Sequence, residues 1–158
     1  VARHHAGVVL MHNRSQSGAV NDFGTLGKSY EGAQYNDFMR EIEDGLMHSV
    51  DSARTAGILD DHIILDPGIG FGKSQEQNLV LINRMDELKE LGFPLLSGPS
   101  RKSFIGRVLD LPVEEREEGT AAAVAFSIAR GADIVRVHNV RMMARVARMA
   151  DAILRSGS

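Results

Sequence analysis

Apolar residues in this chain fall into two patterns that alternate along its length. Short continuous runs, "GVVLMH" (7–12), "HIILD" (62–66), "FPLLSG" (93–98) and "ADIVRVH" (132–138), read as strands. Each is followed by a segment of helical period. Residues 36–56 place Phe38, Ile42, Leu46, Val50 and Ala53 at spacings of three and four, and 76–91 turn Leu81, Met85 and Leu88 inward. An alanine-rich helix is predicted over 119–130, and a last one over 140–155 with Val140, Ala144, Ala147, Ala150 and Leu154 on its apolar stripe. Gly57, Gly92 and Gly131 mark the ends of the first three helices. Strand then helix, four times over, predicts an α/β fold with a parallel sheet. A doubly wound sheet closes with four or five strands, whereas a (β/α)8 barrel normally takes about 250 residues, so this chain would supply only part of a barrel. The polar stretch Ser15–Gln34, rich in Gly, Ser and Asn, predicts a mobile loop after the first strand.

Composition narrows the reading only by exclusion. Over 158 residues, 43% hydrophobic and 25% charged positions with a net charge of −3 describe one ordinary domain, spanning 1–158, with no basic excess to draw nucleic acid or an anionic membrane. The absence of cysteine removes disulfides, thiolate metal sites and a cysteine nucleophile, and fits a cytoplasmic setting. No apolar run reaches the roughly 20 residues of a membrane span. The chain opens on Val1 and enters a strand within a few residues, as expected of a piece of a longer protein or of one whose initiator methionine is removed.

Candidate chemistry gathers where the predicted strands end. "ILDPGIGFGKS" (64–74) looks at first like a phosphate loop, but Pro67 stands where that motif requires its first glycine, and the spacing Gly68, Gly70, Gly72 does not fit a dinucleotide fingerprint. What remains is Asp66 at a strand's end. A carboxylate there needs donors: either a ligand edge with two adjacent N–H groups, or a local cap. Lys73 is read as incidental. In "IVRVH", Arg136 and His138 are two apart and share one side of their strand, forming either an anion site or a surface arginine with a capping histidine. In "SGPSRKSFIG" (97–106) a loop presents Arg101, Lys102 and Ser103, with Lys102 either reaching a ligand or solvated. His4, His5, His12, His48 and His62 lack metal-ligand spacing and are expected to be structural or solvent-facing, so no metal site is assigned to this chain. Met142, Met143 and Met149 are expected to pack, and "EEREE" (114–118) to be a solvated helix start.

Four segments in order, "LMHNRS" (10–15), "ILDPGIGFGK" (64–73), "SGPSRKSFIG" (97–106) and "GTAAAVAFSIARGADIVRVHNV" (119–140), together resemble the dihydropteroate synthase family. The resemblance implies a TIM barrel, with this chain supplying strands and helices 5–8, the C-terminal half, and the N-terminal half absent. It implies a transferase of folate biosynthesis that joins 6-hydroxymethyl-7,8-dihydropterin pyrophosphate to p-aminobenzoate, with sulfonamides competing for the latter. By position, Met11, Asp66, Phe71, Gly98, Lys102 and Arg136 would bind the pterin. Phe71, Lys102 and Ser103 would border p-aminobenzoate, and Arg136 and His138 would hold pyrophosphate. Lys102, Arg136 and His138 would thus carry the catalysis. The family also implies Mg2+, with its ligand expected from the absent half, and a homodimer. Asn139, where the family usually has Asp, and the long insertion after "LMHNR" depart from its pattern. The alternatives are a pterin-dependent methyltransferase domain and a non-catalytic pterin-binding scaffold. The chain alone is expected to have little or no synthase activity.

Overall fold

A computed structural model describes residues 1–14 and 34–156, so the predicted loop Ser15–Gln34 lies, apart from Gln34, outside the described residues. Four parallel strands, β1 (Val8–Met11), β2 (Ile63–Asp66), β3 (Leu96–Ser97) and β4 (Ile134–Val135), alternate with helices. The helices are α1 (Phe38–Thr55), α2 (Gln75–Asn83), α3 (Ser103–Leu109), α4 (Glu117–Ala129) and α5 (Val140–Arg155). β1 pairs with β2 from Val8↔Ile63 to Met11↔Asp66, and β3 with β4 at Leu96↔Ile134 and Ser97↔Val135. A single parallel bridge, Leu65↔Leu95, joins the two pairs, so neighbours follow chain order. β2 and β3, each with a strand on either side, are the buried strands: Ile63, Leu65 and Ser97 are sealed from solvent.

The hydrophobic pattern that predicted α1 also packs it. Ile42, Leu46, Val50 and Ala53 are buried on one stripe, and Met39 joins them, while the Asp37 side chain accepts from the Arg40 N–H to cap the first turn. Ile42, Leu46 and Val50 lie in one cluster with Leu65, Leu81, Met85, Leu88 and Leu95.

Several expectations are corrected. The helix predicted over 76–91 breaks at Arg84, and Met85–Leu91 continues as a 3-10 helix. In that geometry residues three apart eclipse, so Met85 and Leu88 enter the core together and Leu91 follows at its margin. The strand predicted over 93–98 shrinks to two residues because Pro94 has no N–H for the ladder; its carbonyl still accepts from the Leu65 N–H at 2.9 Å. "SRKSFIG", predicted as a loop, contains α3, with Ser103 its first residue. On α5 the packed residues are Met143 and Ala150, of which Ala150 is on the predicted stripe, whereas Val140 and Leu154, at the two ends of the helix, are 66% and 50% exposed. Met149, also expected to pack, is exposed.

Candidate functional site

The carboxyl ends of parallel strands collect side chains that hydrophobic burial would otherwise exclude. Asp66 ends β2 and is 4% exposed. Its Oδ1 accepts from the Gly68 N–H at 2.8 Å, while its backbone carbonyl accepts from the His12 N–H at 2.9 Å, tying the end of β1 to the end of β2. Burial pushes the Asp66 carboxyl above the ordinary range, and the Gly68 N–H, then the charges of Arg136, Lys102 and Lys73, pull it back. Met11 stands beside Asp66 in register and is partly exposed at the end of β1.

The glycine-rich segment after Asp66 is a tight turn. At Gly68, with φ +73°, a Cβ would collide with the His12 carbonyl, so only glycine lets the turn approach β1 this closely. Gly70 donates its N–H to Asn78 Oδ1 at 2.6 Å. Ser74 then opens α2 with a reciprocal cap: its Oγ accepts from the Gln77 N–H and its own N–H is accepted by Gln77 Oε1. Lys73 lies beneath the turn, 4% exposed, with Nζ 2.9 Å from Gly68 O, 3.1 Å from Phe71 O and 3.2 Å from His12 Nδ1. Burial, more than any charge, lowers this ammonium to about 7 and the His12 imidazole to about 4.

On the open side of the turn Lys102 lies along Gly70, where a Cβ would fall 2.8 Å from its Cδ, and its Nζ sits 4.0 Å from the centroid of the Phe71 ring. Burial, then the Arg136 charge, lowers the Lys102 ammonium, and Asp66 opposes them. Arg136 crosses Gly98, where a Cβ would lie 3.0 Å from Nη2. His138 reaches Ser100: the His138 N–H donates to Ser100 Oγ at 3.2 Å, and that oxygen lies 2.8 Å from His138 Nδ1. Ser100 Oγ thus holds His138 at both its backbone N–H and its ring. Phe71, Ser100, Lys102, Ser103 and His138 border one cleft of about 660 Å3.

The loop carrying Lys102 is held from behind. Arg101 adopts left-handed backbone, φ 56°. Its N–H donates to Thr120 Oγ1 at 3.0 Å, its carbonyl accepts from Arg116 Nη1 at 3.1 Å, and its Nε donates to Glu117 Oε1 at 2.8 Å. These three contacts fix a conformation that disfavours any side chain with a Cβ. "EEREE" is accordingly no simple solvated helix start: Arg116 and Glu117 are half-buried parts of this brace.

The sequence-predicted residues Asp66, Phe71, Gly98, Lys102, Ser103, Arg136 and His138 thus lie together at one end of the sheet, with Met11 beside Asp66. Sequence reasoning missed Lys73, Asn78, Ser100 and the Arg101 brace, none of which has a spacing signal, and also the Ser74-x-x-Gln77 cap that starts α2, which has one. Among the described residues, no group of three or more His, Asp or Glu side chains converges to hold a metal ion. Asp66, the buried carboxylate here, already faces Gly68, Arg136 and Lys102. The residues present therefore do not fit Mg2+.

Comparison with known proteins adds an independent line. The family model described as pterin binding enzyme matches residues 1–138. The dihydropteroate synthase of Bacillus subtilis is 46% identical over 156 residues, covering 99% of this chain and 49% of that protein. A crystal structure of Yersinia pestis dihydropteroate synthase with a sulfonamide drug complex superimposes with a TM-score of 0.88 at 31% identity, over 98% of this chain and 53% of that one. The Coxiella burnetii dihydropteroate synthase in complex with pteroic acid superimposes with a TM-score of 0.84 at 32% identity, over 98% and 55%. The chain spans about half the length of the relatives it matches.

Proposed function

This chain belongs to the pterin binding enzyme family, and from that premise we propose that it forms part of a dihydropteroate synthase, joining a dihydropterin pyrophosphate to p-aminobenzoate. The observation that carries the reading is the convergence of a buried carboxylate, a lysine laid on an aromatic ring and an Arg/His pair at the carboxyl ends of β2, β3 and β4. Identity of 46% to a synthase supports this over a methyltransferase domain or a scaffold. Strand neighbours in chain order, without the reversal of a doubly wound sheet, support a half barrel equivalent to strands 5–8.

The chemistry asks mainly for positioning and charge. Asp66 accepts hydrogen bonds from the pterin's amino and ring N–H groups, and Gly98 leaves room for Arg136 to flank it. The carbon–oxygen bond to pyrophosphate breaks, the leaving group takes the electron pair, and the amine nitrogen bonds to the exposed carbon and releases a proton to solvent. Arg136 and His138 face the charge that gathers on the departing oxygens. Lys102 bridges the pterin and aminobenzoate positions, its ammonium steadied over Phe71, with Ser103 bordering the aminobenzoate side. No step is routed through Mg2+, whose ligands would come from outside this chain. The test uses the synthase completed by the segment its relatives carry. Asp66→Asn should weaken dihydropterin binding about tenfold by calorimetry, and Lys102→Ala should lower kcat/KM on the order of a hundredfold. Unchanged binding and turnover would remove these roles, and a completed protein that binds no dihydropterin would remove the synthase reading itself.

A further inference from the structure

We propose that Lys73 is a positioning residue of this site: from beneath, its ammonium clamps the glycine-rich turn and so sets Phe71 and, through Phe71, Lys102. The inference rests on the substrate role of Lys102 argued above.

The turn's own backbone supplies one bond, from the Phe71 N–H to Gly68 O at 3.1 Å. Gly68, Gly70 and Gly72 all have positive φ, between 61° and 80°, and glycine is the residue with the widest choice of backbone conformations. One bond across three glycines leaves that choice wide, and side chains complete the hold. Two side chains fix N–H groups, Asp66 at Gly68 and Asn78 at Gly70. Lys73 fixes carbonyls. An ammonium has three hydrogens, and Lys73 has three acceptors within reach: Gly68 O, Phe71 O and His12 Nδ1. It therefore spans the turn at both ends and anchors it to the end of β1.

The arrangement is costly in a way that packing alone does not require. Among the described ion pairs none includes Lys73, so the hydrogen-bond partners of this buried cation are neutral acceptors and Asp66 acts on it only through its charge. An unbranched apolar side chain of similar length would fill the same space without desolvating a charge. What it would not do is hold the Phe71 carbonyl. That peptide sets the direction of the Phe71 ring, on which the Lys102 ammonium rests at 4.0 Å, while Gly70 supports the Lys102 stem. If the turn relaxes, Lys102 loses both supports. A displacement near 1 Å at such a contact is enough to reduce turnover strongly.

The test reads Lys102 directly. The chain has four lysines, Lys28, Lys73, Lys89 and Lys102, so 13Cε-lysine NMR gives few signals, and Lys102→Arg identifies the one displaced upfield by the Phe71 ring. In Lys73→Met the displacement should collapse by about half or more, while the signal of exposed Lys89 stays in place. Because the chain lacks cysteine, Lys73→Cys can be alkylated while unfolded and then refolded, which covers the case in which the methionine variant does not fold. The aminoethyl adduct, which restores an ammonium at the same length, should recover the Lys102 displacement, and the neutral propyl adduct should not. In the completed synthase the propyl form should lose about tenfold or more in kcat/KM relative to the aminoethyl form. A Lys102 signal equally displaced in both adducts, or equal kcat/KM, would overturn the proposal. The NMR arm contains no substrate, so its outcome is independent of the synthase reading, which fails instead if the wild-type completed protein binds no dihydropterin.

Discussion

His12 shows how one buried side chain couples this site to pH. In the folded chain its imidazole titrates at about 4, held down first by burial and then by Lys73 and Arg14, with Glu41 opposing; unfolded, it titrates near 6.5. Between those values the unfolded state binds a proton that the folded state does not, so stability should fall as pH drops from about 6.5 to about 4. Asp66, raised by burial, acts in the opposite sense above pH 3.8, and Lys73, lowered to about 7 from 10.5, adds stability only as pH rises above 7. The melting temperature should therefore fall by several degrees more across pH 6.5 to 4 in the wild type than in His12→Gln. Parallel slopes would mean that His12 is not held neutral. At this scale the sequence was informative where residue type and strand position coincide: Asp66, Arg136 and His138 stand out as charge at the end of an apolar run. Lys73 did not, because nothing in "GFGKS" reveals that two carbonyls and an imidazole converge on its ammonium.

Elements were legible where burial imposes a period, as in α1, and illegible where it does not. The 3-10 helix Met85–Leu91 still buries Met85 and Leu88, three apart, a spacing that serves an α-helix and a 3-10 helix equally, so the sequence could not reveal the break at Arg84. α3 is seven residues long, too short to declare a period, and only extended Lys102 separates it from Arg101 in left-handed backbone. α5 has its charges, Arg141, Arg145, Arg148, Asp151 and Arg155, on one side, so its apolar side was legible; that the ends of the stripe, Val140 and Leu154, stay exposed was not, because pattern does not say how far a neighbouring helix extends. The two helices can be set against each other. Leu88→Ala should cost about 2–5 kcal/mol in urea unfolding of this chain, and Leu154→Ala less than about 0.5 kcal/mol. A large loss at Leu154 would mean that this end of α5 is covered in solution.

Across the whole molecule, the order β1-β2-β3-β4 leaves β1 and β4 with one neighbour each among the described residues, and Val9 and Ile134 on those strands are exposed. Phe126, Val140, Met149 and Ile153 add apolar surface on α4 and α5. Open parallel edges beside apolar patches favour association. Light scattering of the isolated chain should therefore give a mass above that of one copy, and co-folding with the further segment that its relatives carry should reduce the apolar dye binding that accompanies it. A chain monomeric at tens of micromolar, with no dye binding, would contradict this. The fold also keeps two kinds of connection apart. Turns that leave the strands, after Met11, Asp66, Ser97 and Val135, carry the chemistry, while those that enter β2 and β3, at Gly57–His62 and around Gly92, lie at the opposite end. Gly92, at φ +80°, is reserved for glycine despite the open space around it, but Glu90 on the same turn is exposed and lies in helical backbone. The molecule thus has a working end and a handle: a fluorophore or an affinity tag introduced at Glu90 would sit a full strand length from Asp66, leaving the chemistry free to be watched without being touched.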